Sequence, residues 1–296
     1  MSVFIVHHER DLVAYARRVM PFLMQREAQH NVMLGLFAVL QARPPAEPPY
    51  LAWAERDGEV VGVAMRTPPH RLLLAHGSDP AAIEAFATDL AAGADLPGVL
   101  SGAAEAAAFA ACWARQTGQT AENARHERLY RLTAVTPARP VPGRLREITE
   151  ADLELAISWW LAFANEAVEP TTRDRAVQAI SMRFGVDPMV AGLWLWEVDG
   201  VPVSLAGHTG PTPNSIRVGP VYTPPEYRGR GYASAAVADL SQRLLDRGFA
   251  YVTLFTDLAN PTSNKIYQSI GFQPVCDADE WLFVRNESKQ TELERG

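Results

Sequence analysis

The chain has 296 residues, enough for one large hydrophobic core or two ordinary ones, and its 48% hydrophobic residues are typical of a globular protein. A formal net charge of −7 argues against broad electrostatic binding to nucleic acid and favours cationic substrates such as amines. No apolar run approaches the roughly 20 residues of a membrane span. The seven histidines show no metal-ligand spacing, and the two cysteines form no disulfide framework, so we expect no metal and a reducing, cytoplasmic location.

A proline-rich segment over residues 136–143 divides the chain almost evenly, and we interpret it as a linker because proline interrupts both helices and central strands. The sequence therefore predicts one domain over residues 1–135 and a second over residues 144–286. A polar tail is expected over residues 287–296, which lack apolar periodicity.

The two halves share a pattern. Asp57-Gly58 and Asp199-Gly200 each join two apolar, β-rich runs, as in a tight hairpin. The offset between the halves grows from 142 residues (57 to 199) to 153 residues (118 to 271), where a predicted helix ends at Gly118 and at Gly271. We infer that both halves are copies of one α/β unit and that the second copy contains an insertion before residue 271.

In the second half, apolar periodicity and turn residues predict alternating helices and strands. Strands are expected over residues 144–148, 215–222, 249–256 and 280–284, and on both sides of the Asp199-Gly200 turn. Helices are expected after Thr149 and over residues 173–184, 232–247 and 261–270.

The inserted residues include a strand-to-helix loop that contains Arg228, Gly229, Arg230 and Gly231. Glycine lets the backbone turn its N–H groups toward a ligand, and a helix N-terminus adds unpaired donors, so this loop suits a pyrophosphate. An ordinary glycine turn is the simpler alternative. A dinucleotide-binding loop is a second alternative, but the third glycine of that motif is replaced by Ser234 and only one strand–helix–strand follows.

Arg228-x-x-Gly231-x-Ala233 fits the [QR]-x-x-G-x-[GA] signature of the GCN5-related N-acetyltransferase (GNAT) superfamily, and residues 260–272 resemble the next helix of that family. The resemblance implies an α/β protein with mixed sheets, flanking helices and two tandem acyl-CoA N-acyltransferase folds. It also implies that acetyl-CoA is the acyl donor. By motif position, the expected cofactor-binding residues are Val221, Tyr222, Thr223, Arg228, Gly229, Arg230, Gly231, Tyr232, Ala233, Ser234, Asn260 and Asn264.

The resemblance further implies direct acyl transfer to an amine, with Tyr267 as the general acid that protonates the leaving thiolate. Packing beneath its helix is the alternative role for Tyr267. The base stays open among Glu197, Glu166, Glu226, His208 and a water relay.

In the first half, the offset places Ala107, Ala111 and Ala114 where the second half has Asn260, Asn264 and Tyr267. The loop before the corresponding helix contains Asp79, which would repel a pyrophosphate. We therefore expect a degenerate first copy without a cofactor site.

The sequence favours an acetyl-CoA-dependent N-acetyltransferase that acts on a primary amine of a small molecule, as a monomer or a homodimer. A catalytically silent acyl-CoA-binding or regulatory module, an acetyltransferase acting on protein amines, and a nucleotide-dependent oxidoreductase are the alternatives.

Overall fold

The two halves of the chain contain the same ten helices and strands in the same order. The computed structural model describes residues 4–42, 44–45, 47–167 and 169–285, and the predicted tail over residues 287–296 lies outside this range. In the first half the elements are β1 (Phe4–His8), α1 (Leu12–Met24), α2 (Asn31–Ala42), β2 (Tyr50–Arg56), β3 (Glu59–Arg66), β4 (Leu72–Leu74), α3 (Pro80–Ala91), β5 (Gly98–Gly102), α4 (Ala103–Thr117) and β6 (Thr120–Leu132).

The second half repeats this order with a longer fourth strand and two added 3-10 turns, Glu150–Asp152 and Pro225–Tyr227. Its elements are β7 (Arg144–Glu147), α5 (Leu153–Ala167), α6 (Arg173–Ser181), β8 (Ala191–Val198), β9 (Val201–Thr209), β10 (Ser215–Tyr222), α7 (Tyr232–Asp246), β11 (Tyr251–Asp257), α8 (Pro261–Ser269) and β12 (Gln273–Val284). The predicted α/β class is confirmed.

Two hairpins at equivalent places mark the repeat most clearly. Asp57 and Gly58 have φ angles of 52° and 86°, and Asp199 and Gly200 have φ angles of 49° and 81°. Two consecutive positive φ angles define the tight turn that matches the twist of paired strands, and aspartate and glycine tolerate it best.

The compact units do not coincide with the two sequence copies. The first unit contains the chain up to Arg128 together with the segment from Cys276 onward, and the second contains Leu129–Val275. The chain therefore leaves the first unit within β6 and returns to it within β12. The boundaries drawn from the sequence, at 135 and 144, remain a prediction about the copies.

In the first unit the strand order is β1-β2-β3-β4-β5-β12-β6. β4 and β5 are parallel, with Leu72 opposite Val99. β12 pairs with β5 in the antiparallel direction, so the last strand of the chain completes this sheet. Phe109, Trp113 and Phe283 stack in the core beside it.

In the second unit the strand order is β6-β11-β10-β9-β8-β7, where β6 contributes its last residues. Side chains of α7 and α8, among them Leu240 and Tyr267, form one core cluster with strand residues such as Val218. Side chains of α5 and α6, such as Ile157 and Ile180, form another cluster that includes Tyr222. The unit is therefore a mixed sheet with a pair of helices on each face.

No helix within the described ranges is both long and apolar enough to cross a membrane. The described histidine, cysteine, aspartate and glutamate side chains include no group of three or more that could hold a metal ion.

Candidate functional site

The parallel strands β10 and β11 separate from each other halfway along their length. They pair from Ser215 opposite Tyr251 to Arg217 opposite Thr253. Beyond that point no pairing links them, although β10 continues to Tyr222. The result is a V-shaped opening in the second unit whose closed end lies at Arg217 and Thr253.

A β-bulge lies just beyond the closed end. The register between β10 and β9 shifts between Val218 and Val221, where Gly219 and Pro220 intervene. An extra residue in one strand bends that strand and interrupts the ladder. Pro220 also lacks an N–H group to donate to a neighbouring strand. Both features help β10 to turn away from β11.

The loop after β10 enters helix α7 through two glycines in the left-handed region. Gly229 has a φ of 74° and Gly231, the N-cap of α7, has a φ of 86°. An added Cβ at Gly231 would also lie 3.1 Å from Cγ1 of Val141. A side chain there would therefore strain the backbone and would also crowd Val141.

The consequence is a run of unsatisfied backbone donors at the mouth of the opening. In the described structure, none of the six amides from Gly229 to Ser234 donates to a protein acceptor, and the first bonded amide is that of Ala235, which donates to the Gly231 carbonyl at 3.0 Å. A helix N-terminus with free amides and a partial positive charge is an anion-binding site.

The arginine side chains of the loop hold the loop itself. Arg228 donates from Nε to the Thr223 carbonyl at 2.8 Å and from Nη2 to Glu166 at 2.6 Å. Arg230 donates to the Glu226 carbonyl at 3.0 Å. Because Arg228 and Glu166 are each nearly half exposed, their ion pair contributes at most about 1 kcal/mol.

Glu166, at the end of α5, therefore contacts the glycine loop through Arg228. It also accepts a hydrogen bond from the Tyr222 hydroxyl at 3.3 Å. Burial, followed by the charge of Glu166, raises the pKa of Tyr222. Glu166 thus connects α5 to the strand and the loop, and its carboxylate is already partnered.

The two predicted asparagines hold the start of α8. Asn260 is the N-cap and accepts from the Ser263 amide at 3.0 Å. Asn264 donates to the carbonyls of Asp257 and Asn260 at 2.9 Å and 2.7 Å, and accepts from the Tyr130 hydroxyl at 2.8 Å. Both amide side chains are engaged within the protein and fix α8 against the end of β11.

Tyr267 lies on the buried face of α8, with its ring centroid 6.0 Å from that of Phe272. Burial raises the pKa of Tyr267 to about 12. Among the described residues its hydroxyl has no hydrogen-bond partner. The proton therefore stays on the phenol at neutral pH and is not committed to another protein group.

The structure argues against two of the candidate bases. Glu197 forms ion pairs with Arg146 and, at 3.5 Å, with Arg144. The hydrogen bond from Arg146 lowers the pKa of Glu197. A carboxylate stabilised by two guanidinium groups is a weak base, so the role predicted for Glu197 is replaced by a structural one between β7 and β8.

His208 is fully buried between Trp194 and the Pro188 carbonyl, with ring nitrogens 3.3 Å and 2.9 Å from these partners. Burial lowers the pKa of His208 to about 4. The neutral ring accepts from Trp194 and donates to Pro188, so both nitrogens are used. Glu226 is exposed in the 3-10 turn before the loop.

A sequence model of the Acetyltransferase (GNAT) family matches residues 155–272, which span α5, the V-shaped opening, the glycine loop and α8. This segment of the chain belongs to the GNAT superfamily. No curated protein matches the chain.

Solved GNAT structures share the fold over most of the chain. A GCN5-related N-acetyltransferase from Sphaerobacter thermophilus has a TM-score of 0.61 at 17% identity, with 96% of each chain covered. A tandem GNAT protein from the clavulanic acid biosynthesis pathway has a TM-score of 0.54 at 12% identity, covering 96% of this chain and 98% of that chain. A GCN5-related N-acetyltransferase from Kribbella flavida, 18% identical, has a TM-score of 0.54 and covers 78% of this chain and 89% of that chain. The chain therefore folds as two tandem GNAT units.

The first GNAT unit satisfies the corresponding loop donors internally. The Gly77 amide donates to Glu105 at 2.7 Å, and the amides of Ser78 and Asp79 donate to backbone carbonyls at 3.3 Å and 2.8 Å. The Ala81 amide donates to the Asp79 side chain at 2.9 Å. Asp79 also pairs with Arg56 at 2.8 Å. In the first unit, the Asp79 carboxylate therefore lies in the loop that corresponds to the unpartnered amides of the second unit.

Sequence reasoning missed the residues at the closed end of the GNAT opening. Thr253 is fully buried and its hydroxyl has no partner in the described chain. Arg217 lies opposite it, and Arg183 lies close enough to Arg217 for their charges to interact. A single arginine or threonine in a strand gives no signal in the sequence, because its importance depends on where two strands separate.

Proposed function

We propose that the second unit transfers the acetyl group of acetyl-CoA to the primary amine of a small molecule. Membership of the GNAT superfamily indicates an acyl-CoA-dependent acyltransferase. The observation that carries the proposal is the run of six unpartnered amides, from Gly229 to Ser234, at the mouth of a V-shaped opening between parallel strands. Anions bind readily at such a helix N-terminus.

The residues fit the donor. In this proposal the amides of Gly229 to Ser234 hold the pyrophosphate. Main-chain groups of Val221, Tyr222 and Thr223 hold the pantetheine arm as an added strand along β10. The acyl end then lies toward the closed end of the opening, near Arg217 and Thr253. Asn260 and Asn264 serve by fixing the position of α8.

Acetyl-CoA supplies an activated acyl group as a thioester. The C–N bond to the amine forms as the C–S bond breaks, and the departing sulfur receives the proton of Tyr267. The raised pKa of Tyr267, about 12, keeps that proton available throughout the neutral range. The amine loses a proton in the same reaction, which restores the phenol through solvent.

Removal of the amine proton has no dedicated protein group in this proposal. Glu197 and His208 are committed to structural partners. Glu166 is the remaining carboxylate beside the loop, and its ion pair with Arg228 would have to open before it could bind an amine or accept its proton. We therefore assign Glu166 to acceptor contact and proton removal to water.

Isothermal titration calorimetry with acetyl-CoA tests the donor, and release of free CoA across a panel of amines tests the reaction. We expect binding in the wild type and none in Gly231→Asp, which adds a clash and a negative charge among the loop amides. Thermal unfolding of both proteins controls for folding. Binding without turnover of small amines or peptide lysines would favour the silent module, turnover of peptides alone would favour a protein acceptor, and absence of binding by a folded wild type would overturn the proposal.

A further inference from the structure

Arg183 lies in the turn after α6, two residues beyond the end of that helix at Ser181. Its side chain has no acidic partner in the described structure. Its guanidinium lies 4.9 Å from the centre of the Trp160 ring. Nη1 donates to the Ala179 carbonyl at 2.9 Å. Nε is buried without a hydrogen-bond partner, and none of the described carboxylates lies within 4.0 Å. Nη2 also has no acceptor among the described residues, so the guanidinium keeps hydrogen-bond donors that a carboxylate could use.

An arginine in this setting is costly. Burial, followed by repulsion from Arg217, lowers the pKa of Arg183 to about 10, but the side chain stays charged at neutral pH. An uncompensated buried charge destabilises a protein unless a counter-ion arrives from outside. The neighbouring His208 is neutral and donates to Pro188, and Arg247 donates to the same carbonyl at 3.3 Å, so neither supplies negative charge.

The position of Arg183 relates it to the opening. Its neighbour Arg217 marks the closed end, opposite Thr253, whose buried hydroxyl has no partner among the described residues. Trp160, beneath the guanidinium, contacts Phe163 on the next turn of α5, and Glu166 lies three residues further along the same helix. Six residues of α-helix span about 9 Å. Arg183 therefore contacts α5 at Trp160, on the same helix whose Glu166 pairs with Arg228 of the glycine loop.

Resting on the proposed function, we propose that the acceptor carries a carboxylate beside its amine and that the guanidinium of Arg183 binds this carboxylate. The acceptor is then an amino acid or a related amino carboxylate, even though the chain as a whole is acidic. Its amine faces the acyl end of the opening, and its carboxylate neutralises the buried guanidinium. Thr253 offers a hydroxyl at the same closed end.

Matched acceptors test this assignment. Each amino acid in the panel is compared with its carboxamide, which keeps the amine and removes the negative charge. We expect Arg183→Met to lower kcat/KM for the carboxylates about 10- to 100-fold, the usual range for a lost charged hydrogen bond, and to change the carboxamides less than about threefold. Arg183→Lys keeps the charge without the fork and should retain part of the preference. The Kd for acetyl-CoA should be the same in all three proteins.

Thermal unfolding gives a second readout that needs no turnover. Amino carboxylates should raise the Tm of the wild type and leave that of Arg183→Met unchanged. Without ligand, Arg183→Met should be at least as stable as the wild type, because it relieves an unpaired charge. Equal kinetic losses for carboxylates and carboxamides, absence of an Arg183-dependent Tm shift, or a larger Arg183-dependent shift with inorganic phosphate would each overturn the proposal. Failure of acetyl-CoA to bind would overturn the proposed function instead, while the Tm shift would still decide the carboxylate site.

Discussion

Tyr267→Phe should reduce catalysis without reducing stability. The Tyr267 side chain is largely buried, and its hydroxyl has no hydrogen-bond partner in the described structure. Its removal breaks no hydrogen bond within the described protein and leaves the largely buried ring in place, so little stability is lost. We therefore expect stability to change by less than about 1 kcal/mol, which is roughly 2–4 °C in Tm for a protein of this size.

The kinetic effect should be much larger. Loss of a general acid typically lowers kcat by about 10²- to 10⁴-fold, equivalent to about 3–5 kcal/mol of barrier. The Kd for acetyl-CoA should change less than about twofold, because the hydroxyl is not needed to hold the pyrophosphate. In the wild type, the pKa of about 12 means that deprotonation of Tyr267 should not depress kcat at any pH below about 10.

Tyr130→Phe is the matched control. That hydroxyl donates to Asn264 at 2.8 Å and accepts from Gln268 at 3.1 Å, so its removal should destabilise the protein by about 1–2 kcal/mol. Denaturant unfolding and single-turnover kinetics on both variants separate the two roles. A normal rate in Tyr267→Phe would refute the acid assignment, and destabilisation equal to that of Tyr130→Phe would refute the idea that its hydroxyl is unpartnered.

Three further changes test other parts of the site. Gly231→Ala should cost about 1–2 kcal/mol, because the residue has a φ of 86° and a new Cβ would lie 3.1 Å from Val141; unchanged denaturant unfolding would contradict this. Because the folded pKa of His208 is lowered to about 4, its contribution to stability is complete above about pH 6.5 and declines by up to about 3 kcal/mol as pH falls to 4; unfolding at a series of pH values should show a shallower slope in His208→Gln. Glu166→Gln should change stability by less than about 1 kcal/mol while raising the acceptor KM, and an unchanged KM would remove Glu166 from acceptor contact.

Local signals in the sequence were sufficient for the scaffold. The Asp-Gly turns predicted both hairpins, and β10 was predicted over the residues where it is observed, Ser215–Tyr222. Helix α6 was predicted to reach residue 184 but ends at Ser181, because the chain closes with a turn in which Arg183 and Phe184 both donate to the Ile180 carbonyl at 2.9 Å. β12 begins at Gln273, seven residues before the predicted start at Glu280, and of these added residues Ala278 and Asp279 pair with β5.

Partners across strands could not be predicted from periodicity. The alternation of side chains along a strand places Glu197 on the face opposite to its neighbouring tryptophans. Only the β7–β8 register shows that Arg144 lies opposite Glu197 and that Arg146 contacts its carboxylate. The same limit applies to His208, whose partners are 14 and 20 positions away in sequence. Whether a polar side chain is available for catalysis depends on such long-range pairs. The sequence gives the side chain but does not give its partners.

The backbone donors distinguish the two GNAT units more clearly than the side chains do. In the first unit the described loop amides from Gly77 to Ala81 all have protein acceptors, with Pro80 lacking a donor, whereas in the second unit those from Gly229 to Ser234 have none. Glu105 is tethered beside Gly77, so a free pyrophosphate would compete with a carboxylate present at a high effective concentration.

This difference predicts one acetyl-CoA per chain. Calorimetry should give a stoichiometry near one in the wild type, no binding in Gly231→Asp, and an unchanged stoichiometry in Gly77→Ala, the matched glycine of the first unit. Gly77 has a φ of 74°, so the substitution strains the backbone there as at Gly231, and the new Cβ would also displace the Arg26 guanidinium. If the wild type bound about two acetyl-CoA molecules and Gly231→Asp still bound one, the first unit would hold a working site, and internal satisfaction of loop amides could not be what closes a GNAT cofactor site.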